Sequence, residues 1–177
     1  MNDEVVQTLR SGGMTVLRTD TLYGVVARAD DQHAVERVYA LKQRTPTKSP
    51  IVLIGSLDQL FDSYDPTTID RLNALWPAKV SIILPAVTAP QWLQRGNGSV
   101  AYRMPADDSL RALLQLTGPL IAPSANPEGQ PPAMTIDQAR HYFGDDVDAY
   151  IDGGIVTDDT PSKLYRLTAS GDMERLR

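Results

Sequence analysis

Two hydrophobic periods take turns along this chain. Residues Glu4 to Leu9 repeat at helical spacing and run into Ser11-Gly12-Gly13, where glycine's tolerance of left-handed angles predicts a helix stop. Met14 to Arg18 and Leu22 to Ala27 are rich in β-formers and predict two strands with a brief polar interval between them. Asp30 or Asp31 can then cap a helix whose apolar residues Ala34, Val35, Val38 and Tyr39 share one stripe, and which ends before Pro46. Pro50 to Ile54 reads as a buried strand, followed by helical stretches around Leu57 to Phe61 and Thr67 to Leu75. Val80 to Leu84 and Val100 to Met104 read as strands, separated by the turn-rich Arg95-Gly96-Asn97-Gly98. Asp107 to Leu116 has a capped, amphipathic pattern, and Leu120 to Ala122 is a short apolar run between two prolines. After a loop from Pro127 to Pro132 comes a second capped helix, Thr135 to Phe143, and then strands at Ala149 to Ile151, Lys163 to Leu167 and Glu174 to Leu176.

This alternation predicts an α/β layer structure, with antiparallel pairing where strands follow closely near both ends. No repeat, low-complexity tract or linker divides it, so residues 1–177 are read as one domain. A chain of this length can withdraw about 70% of its unfolded surface from water. No apolar run approaches the roughly 20 residues a bilayer span needs, and Met1-Asn2-Asp3-Glu4 lacks the basic start of a secretory signal, so the expected setting is the cytoplasm. The absence of cysteine excludes disulfides and thiolate zinc sites. A net charge of −5 argues against a protein that coats nucleic acid, although a local basic pocket is compatible with it.

Candidate chemistry sits in three places. Lys42 continues the inward stripe of Val35 and Val38, Arg44 follows the predicted helix end, and Lys48 lies in a loop stiffened by Pro46 and Pro50. An arginine fork and compact lysine charges so close together suit a polyphosphate. The competing reading is a solvated basic loop with Lys42 facing the helix carbonyls. Pro123-Ser124-Ala125-Asn126-Pro127 directly follows a predicted strand, where open α/β sheets place ligands, and an extended backbone would put Ser124 and Asn126 on one side. A plain proline-bounded turn is the alternative. Thr19, Thr21 and Tyr23 have i, i+2, i+4 spacing, so one strand face could carry two hydroxyls and a phenol for a small polar substrate; β-formers on an edge strand would look the same. There is no Walker A sequence, no G-x-G-x-x-G and no nucleophile elbow, and His33 and His141 lack partners at ligand spacing.

The order of these pieces resembles the YrdC-like family of threonylcarbamoyl-AMP synthases. The resemblance spans nearly the whole chain: Thr19-Asp20-Thr21-Leu22-Tyr23-Gly24, Lys42-Gln43-Arg44 with Lys48, Trp76-Pro77, Arg103-Met104-Pro105, Pro123-Ser124-Ala125-Asn126, Asp152-Gly153-Gly154 and Pro161-Ser162. It implies an α/β fold with a twisted mixed parallel and antiparallel sheet flanked by helices. It also implies a nucleotidyltransferase that joins L-threonine, bicarbonate and ATP into threonylcarbamoyl-AMP and releases pyrophosphate, with Mg²⁺ accompanying the ATP. A separate transferase would then place the threonylcarbamoyl group on tRNA. By position, Lys42, Arg44, Ser124 and Asn126 match the family's catalytic tetrad, which with Lys48 and Ser162 would bind the nucleotide. Thr19, Thr21, Tyr23, Lys48 and Arg103 would line the amino-acid region, and no residue suggests itself as a metal ligand.

The chain departs from the family pattern at Arg18, where proline is usual, and at Ser49-Pro50, Ala78-Lys79, Ser81, Lys163 and Arg166. Two other readings share the fold: an RNA-binding or ribosome-assembly factor, with a weak RNA contact on the same surface, and a paralogue acting on another amino acid. A hydrogenase-maturation carbamoyltransferase also contains such a domain, but with cysteine zinc fingers that this chain lacks.

Overall fold

A computed structural model describes residues 3–168 and 171–177. Helix α1 (Asp3–Arg10) leads into strands β1 (Thr15–Arg18) and β2 (Tyr23–Arg28), then α2 (Gln32–Lys42) and β3 (Ile51–Leu53). A 3-10 turn at Leu57–Gln59 precedes α3 (Pro66–Leu75), β4 (Val80–Pro85), α4 (Gln91–Gln94) and β5 (Ser99–Arg103). Next come α5 (Asp108–Thr117), β6 (Leu120–Ile121), α6 (Ile136–Phe143), a second 3-10 turn at Gly144–Asp146, β7 (Ala149–Tyr150), β8 (Lys163–Leu167) and β9 (Met173–Arg175).

Side-chain caps set several helix starts. Asp31 accepts from the Ala34 amide, Asp107 from Leu110 and Thr135 from Gln138, each satisfying an amide that has no partner inside its own helix. Two local expectations shift: the stretch from Leu57 closes only one 3-10 turn, and the last strand begins one residue earlier than expected. Helix α4, a single turn, is too short to show a period in the sequence.

The strands form one mixed sheet in the order β7-β1-β2-β6-β3-β5-β4-β8-β9. Pairs β1/β7, β3/β5 and β4/β8 are parallel, and the remaining neighbours are antiparallel. Successive strand residues face opposite sides. Val16, Val25, Val52, Ile82, Val100 and Tyr102 therefore join the larger apolar cluster, which includes Ala34, Val35 and Val38 of α2 and Ala139 and Phe143 of α6. Leu17, Val26, Leu53 and Leu120 join a smaller one with Val5, Val6 and Leu9 of α1 and Leu110, Leu113 and Leu114 of α5.

That second cluster covers only the β1-β2-β6-β3 half of its face. Over β5, β4 and β8 the same face carries Ala101, Ile83 and Leu164, and these line an open basin. Two helices cover half a face; the bare half is where a ligand can enter.

Candidate active site

The basin has a volume of about 670 Å³ and joins a deeper recess of about 210 Å³ through the shared residues Arg44, Ile51 and Arg177. Ile51, Ile83, Ala101 and Leu164 form its apolar floor, while Arg44, Lys48, Arg166 and Arg177 supply cations around it. The recess adds Thr19, Thr21, Tyr23, Arg103, Ser124 and Ser162. Although the chain is acidic overall, this concavity is basic, which raises the local concentration of anions.

Helix α2 delivers the first cations. It ends at Lys42; Gln43 takes a left-handed conformation with φ 51°, and the Arg44 amide turns back to the Tyr39 carbonyl at 3.0 Å. Arg44 thereby faces the recess, with Nη2 donating to the Ser49 carbonyl at 3.2 Å and Nε buried without an acceptor among the described residues. Lys48, largely exposed, pairs with Glu128, whose carboxylate also accepts from the Thr45 amide and hydroxyl. Those contacts, led by Lys48, pull the Glu128 carboxyl down to about 2.

Lys42 and Asn126 line neither cavity. The Lys42 ammonium is buried and donates to the carbonyls of Ser124 and Asn126, so it braces the 124–126 backbone. Burial above all, with the nearby charge of Arg44, depresses this lysine to about 7, against the opposing pull of Glu128. Asn126 turns its amide nitrogen to the carbonyls of Pro127 (3.0 Å) and Gln130 (2.7 Å), leaving Oδ1 buried and without a partner among the described residues.

Ser124 does line the recess, and its hydroxyl bonds to no other described residue. The segment carrying it extends β6 along β2: Val25 donates to the Pro123 carbonyl at 3.0 Å, and Ala125 to the Tyr23 carbonyl at 2.8 Å. Ala125 is fully buried, pointing away from the ligand side as an extended backbone requires.

The expected strand face of Thr19, Thr21 and Tyr23 is corrected. Residues 19–22 form the β1–β2 hairpin turn, closed by the Thr19 amide on the Leu22 carbonyl at 2.9 Å. The turn brings the two threonine hydroxyls within 3.1 Å of each other. Tyr23 is buried in the larger core, and its hydroxyl accepts from the Gly153 amide (2.9 Å) and donates to the Gly154 carbonyl (2.8 Å), so the phenol anchors a loop.

Arg103, at the end of β5, is almost wholly buried against Asp20 of the hairpin turn, with Nη2 3.1 Å from Oδ1. Asp20 also accepts from the Ala106 amide at 3.2 Å, while Arg103 Nε has no acceptor among the described residues. Burial lowers the Arg103 pKa and Asp20 opposes that shift. Ser162 is buried with its hydroxyl 2.9 Å from Ser81, and its carbonyl accepts from Nε (3.2 Å) and Nη2 (3.1 Å) of Arg177.

Sequence reasoning missed Asp20, Glu128 and Arg177. Asp20 stood inside the quoted Thr19–Gly24 motif, whereas Glu128 and Arg177 reach the site only through chain reversals with no local signature. Another hollow, of about 620 Å³, lies beyond the hairpin turn, lined by Val5, Leu17, Leu110, Leu113 and Ile151; apart from Thr19, the tetrad and substrate candidates do not converge there.

Among the described residues no group of three or more His, Cys, Asp or Glu side chains could hold a metal ion. No described helix is long and apolar enough to cross a membrane.

Comparison with known proteins gives a consistent result. The family model Sua5/YciO/YrdC, described as telomere recombination, matches residues 7–177. A threonylcarbamoyl-AMP synthase of Marinobacter nauticus is 34% identical over 89% of this chain and 86% of its own length. One from Pseudomonas aeruginosa is 34% identical over 96% of this chain and 93% of its own. P. abyssi Sua5, solved in complex with L-threonine, superposes on 98% of the chain with a TM-score of 0.89 at 29% identity. This chain spans about half of that one, 52%. E. coli YciO, at 22% identity and a TM-score of 0.82, shares the fold.

Proposed function

Because the chain belongs to the Sua5/YciO/YrdC family, we propose that it is a threonylcarbamoyl-AMP synthase, a nucleotidyltransferase that consumes L-threonine, bicarbonate and ATP. The observation that carries this reading is the pair of guanidiniums lining the recess, Arg44 and Arg103, each with a buried Nε that has no acceptor among the described residues. Buried donors are rarely left unpaired, so these call for acceptors that a ligand brings. Phosphoryl and carboxylate oxygens fit a planar fork best.

The threonine amine first takes up bicarbonate to give a carbamate with loss of water. A carbamate oxygen then attacks the α-phosphorus of ATP as the bond to pyrophosphate breaks. Every reactant is anionic, so the chain's task is to hold like charges together and stabilise the charge that grows on the phosphoryl oxygens. In this reading Arg44 and Lys48 on the basin rim would meet the triphosphate, with the nucleoside over the floor of Ile51, Ile83 and Ala101. Thr19, Thr21, Arg103, Ser124 and Ser162 in the recess would meet the carbamate and its carboxylate. Lys42 and Asn126 act by shaping the strand end that presents Ser124.

Mg²⁺ fits this donor set only as a companion of the triphosphate, because cations and hydroxyls line the basin and recess and no carboxylate is among their lining residues. When bound it would neutralise charge on the leaving pyrophosphate. The product would be used by a separate tRNA-modifying transferase, which sets the reaction in the cytoplasm. L-Threonine, the ligand of P. abyssi Sua5, is the expected amino acid.

The test is incubation of purified protein with ATP, L-threonine and bicarbonate, with mass detection of threonylcarbamoyl-AMP and release of pyrophosphate only when all three are present. No adduct, or faster turnover with serine or another amino acid, would sink the assignment.

A further inference from the structure

Residues 43–50 connect α2 to β3 and carry Arg44 and Lys48, the cations assigned above to the triphosphate. Long cationic side chains lose much rotamer freedom when ordered, so a loop that binds an anion well needs its backbone set beforehand. Three consecutive residues of this loop are held from two directions. From α2, the Tyr39 hydroxyl donates to the Lys48 carbonyl at 2.6 Å. From the turn after α4, Asn97 Nδ2 donates to the Thr47 carbonyl at 3.0 Å and to Ser49 Oγ at 2.9 Å, and Ser49 Oγ donates to the Gln94 carbonyl at 3.0 Å.

The Tyr39 ring is also where two guanidiniums meet. Arg95 Cζ lies 3.8 Å from its centroid and Arg44 Cζ 5.6 Å, both inside the reach of a cation–π contact. Two like charges at one ring need a counter-charge, and Arg95 has one, with Nη1 3.0 Å from Glu36 Oε1. Arg44 pairs with no carboxylate among the described residues. Arg95 is itself fixed: its side chain is 10% exposed, its backbone is left-handed at φ 52°, and its amide closes on the Gln91 carbonyl at 2.9 Å. The Arg95 guanidinium is thus charge-paired through Nη1 and packed against the ring, while its Nε and Nη2 are buried without an acceptor among the described residues. The other keeps its charge for the cavity.

We propose that Tyr39 and Arg95 are positioning residues for anion binding: the Arg95-backed ring sets the direction of Arg44, and the ring's hydroxyl sets the backbone at Lys48. The inference rests on the reading that the basin binds ATP. It assigns a role to Tyr39 and Arg95, neither of which lines the basin or the recess.

The experiment measures calorimetric Kd values for MgATP and for L-threonine, with Tm, in the wild-type chain, Tyr39→Phe, Arg95→Ala and Arg95→Lys. Tyr39→Phe and Arg95→Ala are expected to weaken ATP about five-fold or more while leaving threonine within about two-fold. Arg95→Lys should fall between wild type and Arg95→Ala, since it keeps the charge beside Glu36 and loses the planar stack. Unchanged ATP affinity in Tyr39→Phe and Arg95→Ala overturns the proposal, as does equal weakening of ATP and threonine alongside a lower Tm. Wild-type protein that binds no ATP refutes the functional reading, and this inference with it. Should Arg95→Ala fail to fold, Tyr39→Phe, which removes one oxygen, decides by itself.

Discussion

The Arg103 guanidinium and the Asp20 carboxylate stand 3.1 Å apart with both side chains withdrawn from water, joining the end of β5 to the β1–β2 turn. Removing one partner of such a pair strands the other charge in a low-dielectric site, which costs about 3–5 kcal/mol. Asp20→Asn keeps the shape, so its loss would come from charge and not from a cavity. Urea unfolding should show that loss, and a smaller one for Asp20→Asn combined with Arg103→Met. A single variant as stable as wild type would mean that water reaches the pair.

Lys42 makes stability depend on pH in a direction opposite to that of a surface lysine. Its folded pKa, about 7, lies below the unfolded value of 10.5, so the unfolded chain binds more protons in between. Stability should rise as pH goes from 7 to 9, by about 2 kcal/mol from this group. A neutral amine still has two hydrogens for the carbonyls of Ser124 and Asn126. The window stops short of the region where the buried phenols of Tyr64 and Tyr102, whose pKa values are raised by burial, enter the balance. Denaturant titrations of wild type and Lys42→Met at both pH values check this, and Lys42→Met should show the flatter dependence.

Arg44→Ala should separate function from folding. Among the described residues the side chain makes one hydrogen bond, to the Ser49 carbonyl, so Tm should move by no more than a few degrees. If Arg44 meets the triphosphate, kcat/KM for ATP should fall on the order of 100-fold, about 2.7 kcal/mol of transition-state stabilisation. Steady-state assays with Arg44→Lys alongside would show little rescue, since lysine lacks the fork.

Tyr23→Phe removes one oxygen that the Gly153 amide and Gly154 carbonyl both use. Leaving those groups without a partner should cost about 1–3 kcal/mol. Faster amide exchange at Gly153 by NMR would locate the damage in the 152–154 loop; unchanged exchange there would rule out the anchoring role.

Most elements were legible because their causes are local. Caps such as Asp31, Asp107 and Thr135 bond to amides three residues away, and the inward stripe of Val35, Val38 and Lys42 is set by helical spacing alone. The same periodicity put Lys42 on the buried face, and strand alternation turned Ala125 into the core. What spacing could not express was where those residues would arrive. The strand order β6-β3-β5-β4-β8, the bare half of one sheet face, and the meeting of Asp20 with Arg103, Glu128 with Lys48 and Arg95 with Tyr39 all join residues tens of positions apart. Thr19, Thr21 and Tyr23 show the boundary most clearly: their alternation was real in the sequence, but hairpin closure folded it into a turn and sent the phenol to a distant loop. The chain by itself determined which side chains face inward along each element. The tertiary structure decided which of them meet, because only packing of the whole sheet brings distant strands and loops within hydrogen-bond reach.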